Sequence, residues 1–237
     1  MKLPNKTAII TGASGGLGKA IAAALIAKKT EVYGIARNQE KLKIIQKQLG
    51  PLFHPVPLDI TDGDKLTRWI VTEFDINNPP DILINNAGLG SFGKIDKMPT
   101  EEWLAMMDVN VKGMYLITSA LTPFFKQNPS STHIINIGSI LATTARAEGS
   151  AYCATKYAVR GFSEALFKEL RSENIKVTCV NPGSINTSFF ESSNIKAHQN
   201  MLSPKDLANT IVHILETPDN MLINEITIRP LDARKPS

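Results

Sequence analysis

Short runs of β-branched and other apolar residues alternate along this chain with longer stretches of helical periodicity. The first run, Lys6 to Thr11, passes through a glycine cluster into a helix predicted from about Gly16 to Lys28. Further runs at Glu31 to Ala36, Phe53 to Leu58, Asp81 to Asn85, His133 to Ser139, Lys176 to Val180 and Leu222 to Arg229 read as strands, with helices filling the gaps. Runs that are apolar on both faces belong to a parallel sheet covered by helices on either side. Right-handed crossovers between such strands make a doubly wound α/β fold, with a mostly parallel seven-stranded sheet. No repeat or low-complexity segment interrupts the pattern, and residues 1–237 are read as a single domain.

Local signals sharpen some boundaries. Ser203-Pro204-Lys205-Asp206 offers an N-cap serine, a proline at the first turn and an acid at N3, so a helix is expected to start there. Leu104, Met107, Val111, Met114 and Leu121 recur at helical intervals, and the stripe is read as core packing. The stretch from Thr187 to Leu202 follows neither period and mixes Phe189 and Phe190 with Ser, Asn and His; a mobile cover or short broken helix is expected.

Composition narrows the function classes. The chain is 43% apolar and 20% charged, enough to bury a substantial core without staples. No apolar run is long enough for a membrane span, and the glycine motif follows Met1 too closely for a signal peptide, so a cytoplasmic protein is expected. Cys153 and Cys179 form no C-x-x-C pair and read as small packed side chains. His54, His133, His198 and His213 are scattered without a ligand-like interval, and no metal is predicted. The formal charge of +4 is spread along the chain with no basic block, which argues against nucleic acid and is compatible with a phosphate-bearing ligand.

The strongest chemical signal is Thr11-Gly12-Ala13-Ser14-Gly15-Gly16-Leu17-Gly18, placed after a strand and opening a helix. Glycines permit a tight turn and let backbone N–H groups approach a pyrophosphate, while the helix N-terminus adds favourable partial charge. The spacing T-G-x-x-x-G-x-G departs from G-x-G-x-x-G and resembles the short-chain dehydrogenase/reductase family. Other matches follow in the family's order: Asp59 and Ile60 after the third strand, Asn85-Asn86-Ala87-Gly88 after the fourth, Asn110 in the next helix, Ser139 closing the fifth strand, then Tyr152 and Lys156. Pro182-Gly183-Ser184-Ile185-Asn186-Thr187 resembles the family's P-G-x-x-x-T segment, which implies that Pro182, Gly183, Ile185 and Thr187 hold the nicotinamide end. The resemblance implies a Rossmann fold. Only the C-terminus departs: Asn224-Glu-Ile-Thr-Ile-Arg-Pro-Leu-Asp lacks the usual glycine pair and resembles sepiapterin-reductase-like and hydroxy-acid-dehydrogenase-like members, which weakens a fatty-acid-synthesis reading.

Tyr152 and Lys156, four apart on a helix, lie on one face and can serve one ligand. A phenol with a pKa of about 10 exchanges protons poorly near neutrality, and a nearby ammonium lowers it. The resemblance implies that Tyr152 is the general acid or base, that Lys156 also holds the nicotinamide ribose, that Ser139 bonds the substrate oxygen, and that Asn110 keeps a water in a proton relay. Each residue also has a plain structural reading: tyrosine and lysine at that interval are commonly a surface pair, Ser139 can simply end a strand, and Asn110 can bond backbone. Their joint order favours the catalytic reading. Cys153 points elsewhere on the helix and has no catalytic role.

The cofactor is expected to be NADP, with NADPH preferred over NADH. An NAD site wants a carboxylate ending the second strand. Here Ala36 stands in that place, followed by Arg37 and Asn38, and Arg37 offers a guanidinium to a 2′-phosphate. The alternative is a solvated Arg37. A second basic residue within the glycine loop is missing, since Gly15 stands there. By resemblance the substrate pocket is lined by Leu89, Ile140, Leu141, Glu148, Ser184 and Phe189, with Glu148 either selecting a polar group or facing solvent. The expected activity is NADPH-dependent reduction of a ketone, diketone or aldehyde; the competing class is a nucleotide-binding sensor or scaffold. The resemblance also implies a homodimer or homotetramer formed by the helices beginning near Thr100 and Ser150.

Overall fold

The computed structural model describes residues 1–187, 189 and 200–232. Seven strands, β1 (Thr7–Thr11), β2 (Glu31–Ala36), β3 (Phe53–Pro57), β4 (Ile82–Asn85), β5 (Thr132–Ile137), β6 (Ile175–Pro182) and β7 (Glu225–Ile228), form one sheet in the order β3-β2-β1-β4-β5-β6-β7. Every pairing is parallel, which goes beyond the mostly parallel sheet expected. The order reverses between β1 and β4, and a crevice opens there at the carboxyl ends of the strands.

Helices α1 (Gly16–Ala27), α2 (Gln39–Leu49), α3 (Gly63–Glu73), α4 (Thr100–Met107), α5 (Met114–Gln127), α6 (Ser150–Leu170) and α7 (Pro204–Leu215) fill the gaps between strands. Successive strand residues serve opposite faces: Ala8 and Ile10 join Leu17, Ile21, Ile211 and Leu215 on one side, while Ile9 joins Leu66, Ile117, Leu121 and Leu166 on the other. That alternation is why the strands read as continuous apolar runs. Helix α7 starts as expected, with the Ser203 side chain accepting from the Asp206 N–H at 3.4 Å and Pro204 in the first turn. Cys153 and Cys179 are both buried as free thiols. Among the described residues no helix is long and apolar enough to cross a membrane.

Two expectations change. Ser139 does not close β5; it caps the short 3-10 turn Ile140–Ala142, accepting from the Leu141 N–H at 3.1 Å. The stripe through Leu104 and Leu121 is not one face, because a π-helical segment, Asp108–Gly113, joins α4 to α5. Its wider turn inserts a residue's worth of rotation. Leu104 is therefore 53% exposed, and Met106, at 1%, lines up with buried Met114, Ile117 and Leu121 instead. Most of the expected cover segment from Thr187 to Leu202, namely residues 188 and 190–199, lies outside the described residues.

Candidate active site

At the crevice the chain leaves β1 and turns sharply into α1. Gly12 and Gly16 have φ of 69° and 50°, conformations that disfavour side chains. A Cβ on Gly12 would come within 2.9 Å of the Ala87 Cα, and one on Gly18 within 2.3 Å of the Gly12 carbonyl oxygen. Gly18 thus seats the helix against the turn and does not itself line the cleft. At Gly15 an added Cβ would meet nothing within 4 Å, so the N-terminus of α1 faces open space. The Thr11 hydroxyl accepts from the N–H groups of Asn86 and Ala87, both at 3.0 Å, and the Asn86 amide donates to the Thr11 carbonyl at 2.9 Å. The segment after β4 is thereby tied to the glycine turn.

A cleft of about 930 Å³ runs from this turn across the sheet edge. Ser14, Gly15, Gly16, Leu17, Asp59, Ile60, Ala87 and Gly88 line it, as do Pro182 at the end of β6 and Gly183, Ile185 and Thr187 beyond it. At one end stand Ala36, Arg37 and Asn38, with Lys41 beside them. No carboxylate pairs with Arg37 or Lys41 among the described residues. The Asn38 side chain caps α2, accepting from the Lys41 N–H at 2.9 Å. Asp59 accepts from the Thr61 N–H and hydroxyl at 2.9 and 2.8 Å, which folds its carboxylate back on its own loop.

Ser139, Tyr152 and Lys156 meet at the other end. The Lys156 ammonium donates to the Ile137 carbonyl at 2.8 Å and lies 5.7 Å from the Tyr152 ring centroid. A methyl placed on Gly88 would lie 3.4 Å from Asn110 Oδ1 and 3.9 Å from Lys156 Nζ, so both polar groups border one small space. Asn110 itself stands behind the cleft wall: it accepts from the Leu89 N–H at 2.7 Å and donates to the Leu89 carbonyl at 2.8 Å and to the Thr155 hydroxyl at 3.0 Å. The π-helical segment carries it there. A void of about 10 Å³ bordered by Asn110, Lys156, Ile137 and Asn85 adjoins it, and the buried Asn85 Oδ1 has no hydrogen-bond partner.

Relatives share both sequence and shape. The family model described as short chain dehydrogenase matches residues 6–198. The chain belongs to the short-chain dehydrogenase/reductase family of oxidoreductases. It is 36% identical over 231 residues to an uncharacterized oxidoreductase of Staphylococcus aureus (strain MW2), covering 97% of this chain and 99% of that one. The closed form of a serine dehydrogenase complexed with NADP+ superposes with a TM-score of 0.87 at 31% identity, covering 93% of each chain. A metagenomic short-chain oxidoreductase in complex with NADP gives 0.83 at 30% identity over 97% of this chain and 99% of that one.

As a member of this family the chain shows a phenol tuned differently from the sequence expectation. Burial pushes the Tyr152 pKa above the ordinary phenol value, and the hydrogen bond with Ser139 offsets this only in part. Burial also pushes Lys156 down to about 8. The lowering of the phenol expected from Lys156 is not found: burial dominates, and the Lys156 ammonium is directed at the Ile137 carbonyl. Tyr152 is thereby held protonated, as a proton donor must be.

The substrate end differs in part from expectation. Leu89, Ile140, Leu141, Ser184 and Phe189 line the cleft, but Glu148 does not. Glu148 is exposed with φ of 60°, and its carbonyl accepts from the Gly93 N–H at 2.8 Å, so its side chain takes the solvent-facing alternative. Sequence reasoning missed Lys41, Phe92 and Arg146. Lys41 could have been found, since it sits one helical turn beyond Arg37. Phe92 packs 5.3 Å from the Tyr152 ring, and Phe189 packs 6.0 Å from it; Gly90 makes room, because a Cβ there would stand 2.6 Å from Phe189 Cζ. Nothing local in the sequence marks these contacts.

Proposed function

We propose that the protein is an NADPH-dependent reductase that converts a small ketone, diketone or aldehyde to an alcohol. One observation carries the reading: Ser139, Tyr152 and Lys156 meet at one end of a cleft whose other end presents Arg37 and Lys41, neither of them paired with a carboxylate among the described residues. The glycine turn fits a dinucleotide, since the space above Gly15 is open at the N-terminus of α1, and Gly12 lets the turn pack closely against Asn86 and Ala87. Arg37 and Lys41 would take a 2′-phosphate, a task unsuited to a strand end bearing an acid. The NADP-bound relatives support the same cofactor. Bound there, the reduced nicotinamide supplies the hydride. Tyr152 gives its proton to the substrate oxygen, Ser139 orients that oxygen, and Lys156 holds the ribose end and keeps positive charge near the phenol. Asn110 fixes the Leu89 wall and borders the void through which a proton can be replaced.

Absorbance of reduced nicotinamide, followed with a carbonyl panel, tests the proposal. Tyr152→Phe is expected to lower kcat by at least about a hundredfold. Arg37→Ala is expected to lower kcat/KM for NADPH by about tenfold or more while leaving NADH nearly unchanged. Equal use of NADH unaffected by Arg37→Ala would overturn the cofactor assignment, and tight binding without turnover would overturn the enzyme reading.

The protein is also proposed to self-associate as a homodimer or homotetramer. The support is a set of apolar side chains left outward on neighbouring helices: Leu104 on α4, Tyr115 on α5 at 54% exposure and Tyr157 on α6 at 45%. A second copy would cover them.

A further inference from the structure

We propose that Arg146 anchors an anionic group of the substrate, so that this chain selects carbonyl compounds carrying a carboxylate set off from the reacting carbon by a short chain. The proposal deepens the reductase reading and rests on it. Arg146 lies between the Ile140–Ala142 turn and α6, and lines the cleft at the end that holds Tyr152. Its guanidinium carbon stands 5.1 Å from the Phe92 ring centroid, and that ring stands 5.3 Å from the Tyr152 ring. One aromatic ring therefore separates the cation from the phenol.

Contact with the Phe92 ring restrains the guanidinium while leaving its donor edge available to a planar acceptor. Its Nε donates to the Ala147 carbonyl at 3.3 Å. No carboxylate pairs with it among the described residues. The other cleft cations are placed for other work: Arg37 and Lys41 stand at the far end, and Lys156 is buried against the Ile137 carbonyl. Phe92 contacts both Arg146 and Tyr152, and Leu89 and Leu141 pack with it in the apolar cluster around Tyr152, so these walls have no charge to offer. A carboxylate is the group that a guanidinium held in this way binds in two-pronged fashion. The intervening ring places it beyond an acid group bonded directly to the reacting carbon.

The test compares acid and ester. Steady-state kinetics with NADPH are measured on acetoacetate against methyl acetoacetate and on levulinate against methyl levulinate, for the natural protein and for Arg146→Met, Arg146→Lys and Arg146→Glu. The natural protein is expected to favour the acids. Arg146→Met is expected to reduce the acid-to-ester ratio of kcat/KM by about ten- to a hundredfold, mainly through KM for the acid, with part of the ratio kept by Arg146→Lys. Arg146→Glu is expected to reverse the preference. A ratio that does not move in Arg146→Met, or a natural protein that reduces esters and other neutral carbonyls in preference to acids, overturns the role of Arg146 and leaves the reductase reading standing. No turnover of any carbonyl, with NADPH still bound, overturns both.

Discussion

At the scale of single residues the protein places a phenol and an amine where burial works on both. Burial raises Tyr152 and depresses Lys156 to about 8. Below that value the Lys156 amine is charged, and as pH rises through it the charge beside the phenol is lost. Carbonyl reduction is therefore expected to hold steady through neutrality and to fall as pH passes about 8. Lys156→Met is expected to lower kcat by about a hundredfold or more and to abolish that alkaline limb, read from a pH profile of kcat/KM. An identical limb in the variant would assign the titration to another group. Glycines act at the same scale through the space they leave: Gly18 admits the Gly12 carbonyl, and Gly90 admits the Phe189 ring.

At the scale of elements, Ser139 is held from the sheet side by a chain of hydrogen bonds spanning β6, β7 and α6. Glu225 on β7 accepts from Arg160 on α6 and from the Asn181 amide on β6, each at 2.8 Å, and Asn181 Oδ1 in turn accepts from the Ser139 N–H at 3.3 Å. A Cβ on Gly138 would stand 2.1 Å from that oxygen, so glycine is needed just before Ser139. Glu225→Leu strips two donors of their acceptor. It is expected to lower stability by about 1–3 kcal/mol in denaturant titration and to lower kcat with KM for NADPH little changed. Glu225→Gln, which keeps an acceptor of the same shape, is expected to restore most of both. Loss of stability with kcat intact would make the bridge purely structural. The π-helical segment works at this scale too: it turns Asn110 toward Leu89 and α6, and sends Leu104 outward.

At the scale of the whole molecule, the apolar residues on α4, α5 and α6 bear on assembly. Burying Leu104, Tyr115 and Tyr157, each about half exposed in the single chain, removes apolar surface from water and contributes on the order of 1 kcal/mol per side chain. Leu104→Glu together with Tyr115→Glu is expected to shift the protein to monomer in analytical ultracentrifugation, with its far-ultraviolet circular dichroism unchanged. A natural protein that sediments as a monomer at all concentrations would end the self-association proposal. The same scale explains the cleft: it lies where the sheet order reverses between β1 and β4, and its two ends are supplied by segments far apart in the chain.

Local chemistry made the sheet, the glycine turn and the order of Ser139, Tyr152 and Lys156 legible in the sequence. Strand and helix periods, a cap box such as Ser203 to Asp206 and a motif of fixed spacing are all written within a few neighbouring residues. The phase of α4 and α5 was not legible, because a π-helical insertion is decided by packing rather than by periodicity. Nor were the partners of Tyr152 and Ser139. Phe92, Arg146 and the Asn181–Glu225 bridge reach the site from separate elements. Their meeting depends on how the helices and strands are stacked, and so does the burial that keeps the phenol protonated.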